Sequence, residues 1–321
     1  MTAATPITVE IKGLRRHFGA VKAVDDIDFT LQGGEVHGFI GPNGAGKTTT
    51  MRIMATLDMP DAGDVLLDGV SILNYPDRLR PDIGFMPDYL DSFSDMLVED
   101  YLDFYARAYR LDRATRLRRL AAVVDFTGLG ELLERPTTGL SKGQKQRLSL
   151  ARMLTSDPKL LILDEPSAGL DPRARIELRN LIRSIADRGK AVFISSHILT
   201  ELAESCDAVT IIEHGKIRAS DRIHNVRKAA DGGGTRVLVI LDMPTDAERE
   251  RLRLRLAELP GVQAVADEQR GATFNYEGEP EIRTRVLREL VASDFRISDF
   301  HAASSDLEDA FMRLTVGRNE P

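Results

Sequence analysis

A short apolar run, residues 35–40 (EVHGFI), passes without a break into GPNGAGKTTT at residues 41–50. No other feature of the chain restricts its fold so tightly. Gly41, Gly46, Lys47 and Thr48 fit the pattern G-x-x-x-x-G-K-[ST], in which a glycine-rich loop leads from a strand into a helix. With glycine near its average usage, such a match arises by chance in roughly one chain of this length in a hundred. A strand precedes this one and a helical run follows it through Met54. The glycines let backbone N–H groups converge on phosphate oxygens, and the helix N-terminus adds a favourable partial charge. Lys47 is placed to reach β- and γ-phosphates, and the Thr48 hydroxyl to ligate Mg²⁺. The bland alternative, a glycine-rich turn and nothing more, is outweighed by the pattern as a whole.

Two further stretches narrow the chemistry. In LLILDEPSAGLD, Leu160–Leu163 reads as a buried strand ending in two acids, Asp164 and Glu165. An Asp at a strand tip beside a phosphate loop holds Mg²⁺ or its water shell. The acid after it can orient and polarise a water that attacks the γ-phosphate. In LSKGQKQRLSLAR, Ser141 and Gln144 have the spacing of a capping box. Gly143 falls in that helix's first turn, where it costs stability relative to Ala. A glycine there bares the amides at the positive helix end and offers a second anion site. One subunit has no need of two such sites for one nucleotide, so the spacing points to a nucleotide bound across a dimer.

The whole chain, 321 residues with 42% hydrophobic and 29% charged residues, suits a large domain with a smaller one. Residues 35–40, 159–163, 191–195 and 208–212 are apolar without alternation, as strands buried on both faces are. With intervening helical patterns they predict an α/β domain over residues 1–228. A helical subdomain is expected at about 93–155, with Leu117, Leu120, Ala121 and Val124 facing its core. Tyr101, Phe104 and Tyr105 are also spaced as core positions, and His37 reads as a core or supporting residue. Arg107, Arg110, Arg113, Arg116 and Arg119, beside Arg118, read as a solvated helical face.

A glycine-rich linker at residues 229–235 then leads to a small α+β domain at 236–321. Its order of strand (236–241), helix (245–259), strand (262–266), strand (273–276), helix (280–292) and strand (296–300) is ferredoxin-like. A last helix opens at Ser305, with Glu308 at capping-box spacing. The net charge of −7 gives no general attraction to nucleic acid or anionic lipid. Cys206 is the sole cysteine, and the N-terminus resembles no signal peptide. No apolar run reaches the roughly 20 residues that span a bilayer. These features predict a soluble, intracellular protein.

In this order of motifs the chain resembles the nucleotide-binding subunit of an ATP-binding cassette (ABC) transporter. GPNGAGKTT is similar to that family's Walker A motif, LSKGQ to its signature, LLILDEP to Walker B, SAGLD to the D-loop, and His197 in ISSH to the switch histidine. The resemblance covers residues 7 to about 225 and implies a P-loop NTPase cassette fold. It implies ATP and Mg²⁺ as cofactors. Gly41, Pro42, Asn43, Gly44, Ala45, Gly46, Lys47, Thr48 and Thr49 would hold ATP, and Phe18 in RRHFGAVKAV would stack on adenine. Glu165, His197 and Lys47 become the catalytic candidates, and Thr48 and Asp164 the metal ligands. Two subunits would pair head to tail, so that Ser141, Gly143 and Gln144 meet the partner's ATP and Asp171 bridges the interface.

The closing SSDLEDAFMRLT and the stretch GFMPDYL resemble the ABC-2-type branch, including daunorubicin-exporter-like subunits. That branch implies export through separately encoded multi-span membrane subunits, with this chain peripheral at the cytoplasmic face. Asp88 stands where the family carries Gln or Glu, and is expected to contact the metal through water. Two other classes fit less well. Cassette proteins acting on nucleic acid or ribosomes usually carry paired cassettes, coiled coils or zinc inserts, and this acidic chain shows none of these. A module that holds ATP without turnover would not need Glu165 and His197.

Overall fold

The computed structural model describes residues 6–88, 96–230, 235–276 and 281–302. The glycines at 232–234 and the segment opening at Ser305 lie outside them. The chain forms two compact units that divide between Arg222 and Ile223.

In the first unit, β1 (Thr8–Phe18) and β2 (Val21–Gln32) form a hairpin, followed by β3 (Val36–Ile40) and α1 (Lys47–Met54). Then come β4 (Ala62–Leu67), β5 (Val70–Ser71), α2 (Pro76–Leu79) and β6 (Ile83–Met86). Three helices follow, α3 (Val98–Ala108), α4 (Arg113–Thr127) and α5 (Lys142–Leu154). The unit ends with β7 (Leu160–Leu163), α6 (Pro172–Ala186), β8 (Ala191–Ser196), α7 (Leu199–Ser205), β9 (Ala208–Glu213) and β10 (Lys216–Arg222).

The strands make two sheets. One has the order β2-β1-β4-β5, all antiparallel, and the other β10-β9-β3-β8-β7-β6. In the second, β9, β3, β8, β7 and β6 run parallel, and β10 is an antiparallel edge. The strands without alternation in the sequence, β3, β7 and β8, are buried along their whole length. Side chains of both sheets and of α1 share one core, in which Phe29 stacks on both Phe39 and Phe193. His37 lies in this core with its Nε2 2.8 Å from Thr210 Oγ1, and burial lowers its pKa to about 4.

Helices α3, α4 and α5 enclose a separate core containing Tyr101, Leu102, Val123, Leu140 and Leu148. Several sequence expectations fail in this region. Leu117 is 57% exposed and Ala121 is also exposed, whereas Leu120 and Val124 pack on the core and Val123 and Thr127 are buried. The inward stripe of α4 is thus turned towards Val123, and Leu117 lies outside it. Phe104 is likewise 48% exposed, with its ring edge-on to Tyr105.

The arginines do not share one solvated face, because α3 ends at Ala108 and α4 begins at Arg113. Arg107 and Arg116 converge on Asp103, at 2.6 and 2.8 Å. Arg119 donates to the Thr155 and Ser156 carbonyls, at 3.2 and 2.7 Å, just past the end of α5.

The second unit contains α8 (Ile223–Ala230), β11 (Thr235–Leu241), α9 (Asp246–Glu258), β12 (Val262–Glu268), β13 (Gly271–Tyr276), α10 (Glu281–Ala292) and β14 (Ile297–Ala302). Its sheet is antiparallel, in the order β12-β13-β11-β14. Val237, Val239 and Leu241 of β11 meet Leu252 and Leu256 of α9 and Val286 and Leu290 of α10 in its core. Thr245 caps α9 in a reciprocal pair with Glu248.

Candidate functional site at the ends of four parallel strands

In an open parallel sheet, ligands collect where the strands end at their carboxyl side. Here β3, β8, β7 and β6 are consecutive neighbours. Gly41 follows the first, His197 the second, Asp164 the third, and Asp88 lies two residues past the fourth. Topology thus gathers residues distant in sequence. A cavity of about 400 Å³ opens there, lined by Phe18, Ala23, Pro42, Asn43, Gly44, Gly46, Lys47, Thr48, Thr49, Asp88, Asp164 and Glu165.

The loop owes its shape to its glycines. Gly46 has φ 106°, and a Cβ there would lie 2.1 Å from the Ala23 carbonyl oxygen. A Cβ on Gly41 would lie 2.3 Å from the Ile212 carbonyl oxygen. Only a residue without a side chain fits at either point. Ala45 is buried beneath the loop. Lys47 is 7% exposed, and its ammonium donates to the carbonyls of Gly41 (2.6 Å) and Pro42 (3.3 Å). Burial pulls its pKa below the ordinary value, opposed by the charges of Glu165 and Asp164. An anion entering the cavity would meet a partly desolvated cation already folded back over the loop.

The acid pair is held from both sides. Thr48 Oγ1 donates to Asp164 Oδ2 at 3.0 Å, and Ser195 Oγ donates to Asp164 Oδ1 at 2.6 Å. The Glu165 amide donates to Ser195 Oγ at 2.9 Å, while Glu165 Oε2 lies 2.8 Å from His197 Nδ1. Glu165 has φ 48°, the left-handed region that a non-glycine residue enters at a cost. Among the described residues no cluster of three or more His, Cys, Asp or Glu could hold a metal. A hard cation bound with a nucleotide keeps several waters and takes one or two carboxylates besides phosphate oxygens. A hydroxyl and a carboxylate meeting at the lip of a phosphate loop fit that donor set.

The residues of the capped helix lie elsewhere. Ser141 caps α5, with its backbone N–H bonded to Gln144 Oε1 (2.9 Å) and its Oγ accepting the Gln144 N–H (3.3 Å). Ser141, Gly143, Gln144 and Asp171 line a second hollow of about 150 Å³ with Arg147, Arg173, Ala174 and Glu177. It shares no lining residue with the first. Asp171 Oδ1 accepts the Ala174 N–H at 2.9 Å and caps α6. A Cβ on Gly143 would lie 2.9 Å from Ala174 Cβ, so this glycine has a packing reason besides the one read from sequence. Phe18, at the end of β1, is 50% exposed and carries the Arg16 guanidinium 4.7 Å above its ring.

Sequence reasoning missed Ala23 and Ser195. Ala23 lies in a strand that was not anticipated. Ser195 stands two residues before His197 in a strand read only as apolar, where one polar side chain among AVFIS was the available signal.

The chain matches the family described as ABC transporter over residues 24–168. It is 33% identical to the Nod factor export ATP-binding protein I of Ralstonia nicotianae, over 97% of this chain and 94% of that one. It is 32% identical to the daunorubicin/doxorubicin resistance ATP-binding protein DrrA of Streptomyces peucetius, over 96% and 92%. A solved ATP-binding subunit of an ABC transporter superposes with a TM-score of 0.63 at 29% identity, covering 70% of this chain and 93% of that one.

Proposed function

Because this chain belongs to the ATP-binding subunits of ABC transporters, we propose that the cavity beneath the 41–49 loop hydrolyses Mg·ATP to drive export through multi-span membrane subunits. Family membership makes it an ATPase of a transport system. The direction of transport follows the two relatives, whose names place them in export and drug resistance. No helix among the described residues is long and apolar enough to cross a membrane. The membrane path is therefore assigned to partner subunits, with this chain peripheral at the cytoplasmic face.

The carrying observation is the convergence of Lys47, Thr48, Asp164, Glu165 and Asp88 on one cavity, with His197 bonded to Glu165. Amides of the loop and the start of α1 hold the phosphates, and Lys47 turns from its carbonyls to the β- and γ-oxygens. Phe18 offers a half-exposed ring to the base. Thr48 and Asp164 would hold Mg²⁺, which when bound would supply positive charge against the charge that develops on the phosphate. Glu165 accepts the proton of the attacking water on Oε1, while His197 fixes Oε2. Asp88 lines the same cavity and would accept from water in the metal's shell. Ser141, Gly143 and Gln144 lie in a hollow separate from the cavity, which supports their use on the nucleotide of a second copy.

Glu165→Gln tests this reading. It leaves Lys47, Thr48 and Asp164 in place, so ATP and Mg²⁺ should still bind, while turnover falls by about 10²- to 10⁴-fold. Near wild-type hydrolysis by a preparation free of contaminating ATPase would remove Glu165 from the mechanism.

A further inference from the structure

We infer that Ser195 is a positioning residue for hydrolysis, setting both acids of the Asp164–Glu165 pair through one buried hydroxyl. The inference rests on the reading that Asp164 and Thr48 hold the cation and Glu165 prepares the water.

Strands β7 and β8 are parallel neighbours with Leu163 paired to Ile194. The next residue along each chain segment, Asp164 just past the end of β7 and Ser195 on β8, is therefore held side by side. Ser195 is fully buried. A serine hydroxyl has one proton and two acceptor sites. Here the proton goes to Asp164 Oδ1 at 2.6 Å, while the oxygen accepts the Glu165 N–H at 2.9 Å. The two bonds determine each other's direction.

Each bond has a separate consequence. Satisfying Oδ1 from behind leaves Asp164 Oδ2 for Thr48, which it meets at 3.0 Å, so the carboxylate presents one defined oxygen at the cation position. Holding the Glu165 amide secures that residue's left-handed backbone, φ 48°, and so fixes where its carboxylate emerges. Groups one bond behind a metal ligand act in this way on ligand geometry. The adjacent Ser196 differs, because its hydroxyl accepts the Ile198 N–H at 3.0 Å. It shapes the turn at His197 and serves as an internal control.

If Ser195 only satisfied a buried amide, its removal would lower stability and leave cation binding unchanged. The test therefore reads the cation directly. Mn²⁺ binding to the full chain with a non-hydrolysable ATP analogue is followed by electron paramagnetic resonance, beside Mg·ATP turnover, for Ser195→Ala, Ser195→Thr and Ser196→Ala. Ser195→Ala should weaken Mn²⁺ binding and lower kcat by about tenfold each, with KM for ATP moved by less than about twofold. Metal-free ATP binding should stay as in wild type, showing that the phosphate loop is intact. Ser195→Thr, which keeps the hydroxyl, should recover most of both losses, and Ser196→Ala should leave Mn²⁺ affinity unchanged. Should the alanine variant not fold, Ser195→Cys fills the hydroxyl's position, weakens the donor and carries the same expectation. Wild-type Mn²⁺ affinity and kcat in Ser195→Ala or Ser195→Cys overturns the inference. Wild-type turnover in Glu165→Gln would overturn only the assignment of Glu165, since the Mn²⁺ measurement does not depend on turnover.

Discussion

Gly143 has two candidate reasons to be glycine, close approach of a ligand to the start of α5 and close approach of Ala174. A double-mutant cycle separates them. A Cβ at 143 would sit 2.9 Å from Ala174 Cβ, against about 3.5–4.0 Å for relaxed carbon contacts. Gly143→Ala therefore forces the starts of α5 and α6 apart by roughly half an ångström or more. Overpacking of this kind costs about 1–3 kcal/mol, while the helix gains up to about 1 kcal/mol from replacing a glycine. The net destabilisation should be about 0–3 kcal/mol, too variable to interpret alone. In an Ala174→Gly background the clash is absent and the propensity gain remains. The coupling between the two changes should then be about 1–3 kcal/mol, measured by urea unfolding of the wild type, both single variants and the double variant. Coupling below about 0.3 kcal/mol would refute the packing argument. Turnover of the same four proteins addresses the ligand. If Gly143→Ala/Ala174→Gly regains stability but not hydrolysis, the glycine is needed for nucleotide approach as well.

Other predictions follow from single contacts. His37 has a folded pKa of about 4 against an ordinary 6.5, lowered by burial. The unfolded chain thus takes up this proton first, and stability should fall by about 3 kcal/mol between pH 6.5 and 4 before levelling. Urea midpoints against pH should show this loss in the wild type and not in His37→Gln. Arg119→Met should cost about 1–3 kcal/mol by freeing the Thr155 and Ser156 carbonyls, while exposed Arg118→Met should stay within about 0.5 kcal/mol. Thermal unfolding of the pair decides whether these arginines are interchangeable. Asp88→Ala should weaken Mg²⁺-dependent hydrolysis and leave metal-free ATP binding equal or slightly better, because a carboxylate repels phosphate and cannot donate to it. Asp88→Gln should be milder. Turnover against Mg²⁺ concentration, with and without membrane subunits, would show identical curves for Ala and wild type if Asp88 is an ordinary loop acid.

Legibility followed burial and locality. Strands β3, β7 and β8 were readable because burial on both faces leaves an unbroken apolar run, and the loop after β3 because Gly41, Gly46, Lys47 and Thr48 fall in one contiguous stretch of sequence. The hairpin of β1 and β2 was not read, since its register shifts at Gly13 and near Arg16 interrupt the alternation that marks a half-buried strand. The α4 stripe was misread because Leu117 and Ala121 are apolar yet exposed, while Arg116 and Arg119 turn inward to Asp103 and the end of α5. Periodicity cannot distinguish an arginine that caps a neighbouring helix from one in solvent. Ser195 shows in the sequence only as one polar residue in an apolar run for a related reason: its partners lie about thirty residues away in sequence and are adjacent only once β7 pairs with β8.

The two capped helices bear on how a second copy would be used. The side chains of Ser141 and Gln144 are bonded reciprocally to each other's backbone, and Asp171 Oδ1 is bonded to the Ala174 amide. Residues that the resemblance assigns to a partner's nucleotide or, for Asp171, to the interface are thus already engaged in capping their own helices. A ligand at this hollow must either displace those caps or use what they leave open. A capping box satisfies the N–H groups at the cap and third positions and leaves the intervening ones, here those of Lys142 and Gly143. Gly143 keeps that ground clear of side-chain atoms, in a hollow lined by Arg147 and Arg173 and also by Asp171 and Glu177. The capped state therefore presents backbone amides at a helix N-terminus, which suits phosphate oxygens. On the proposed pairing the caps stay closed, and Ser141 and Gln144 act by holding the amides in place while the contact is made by the backbone at Gly143.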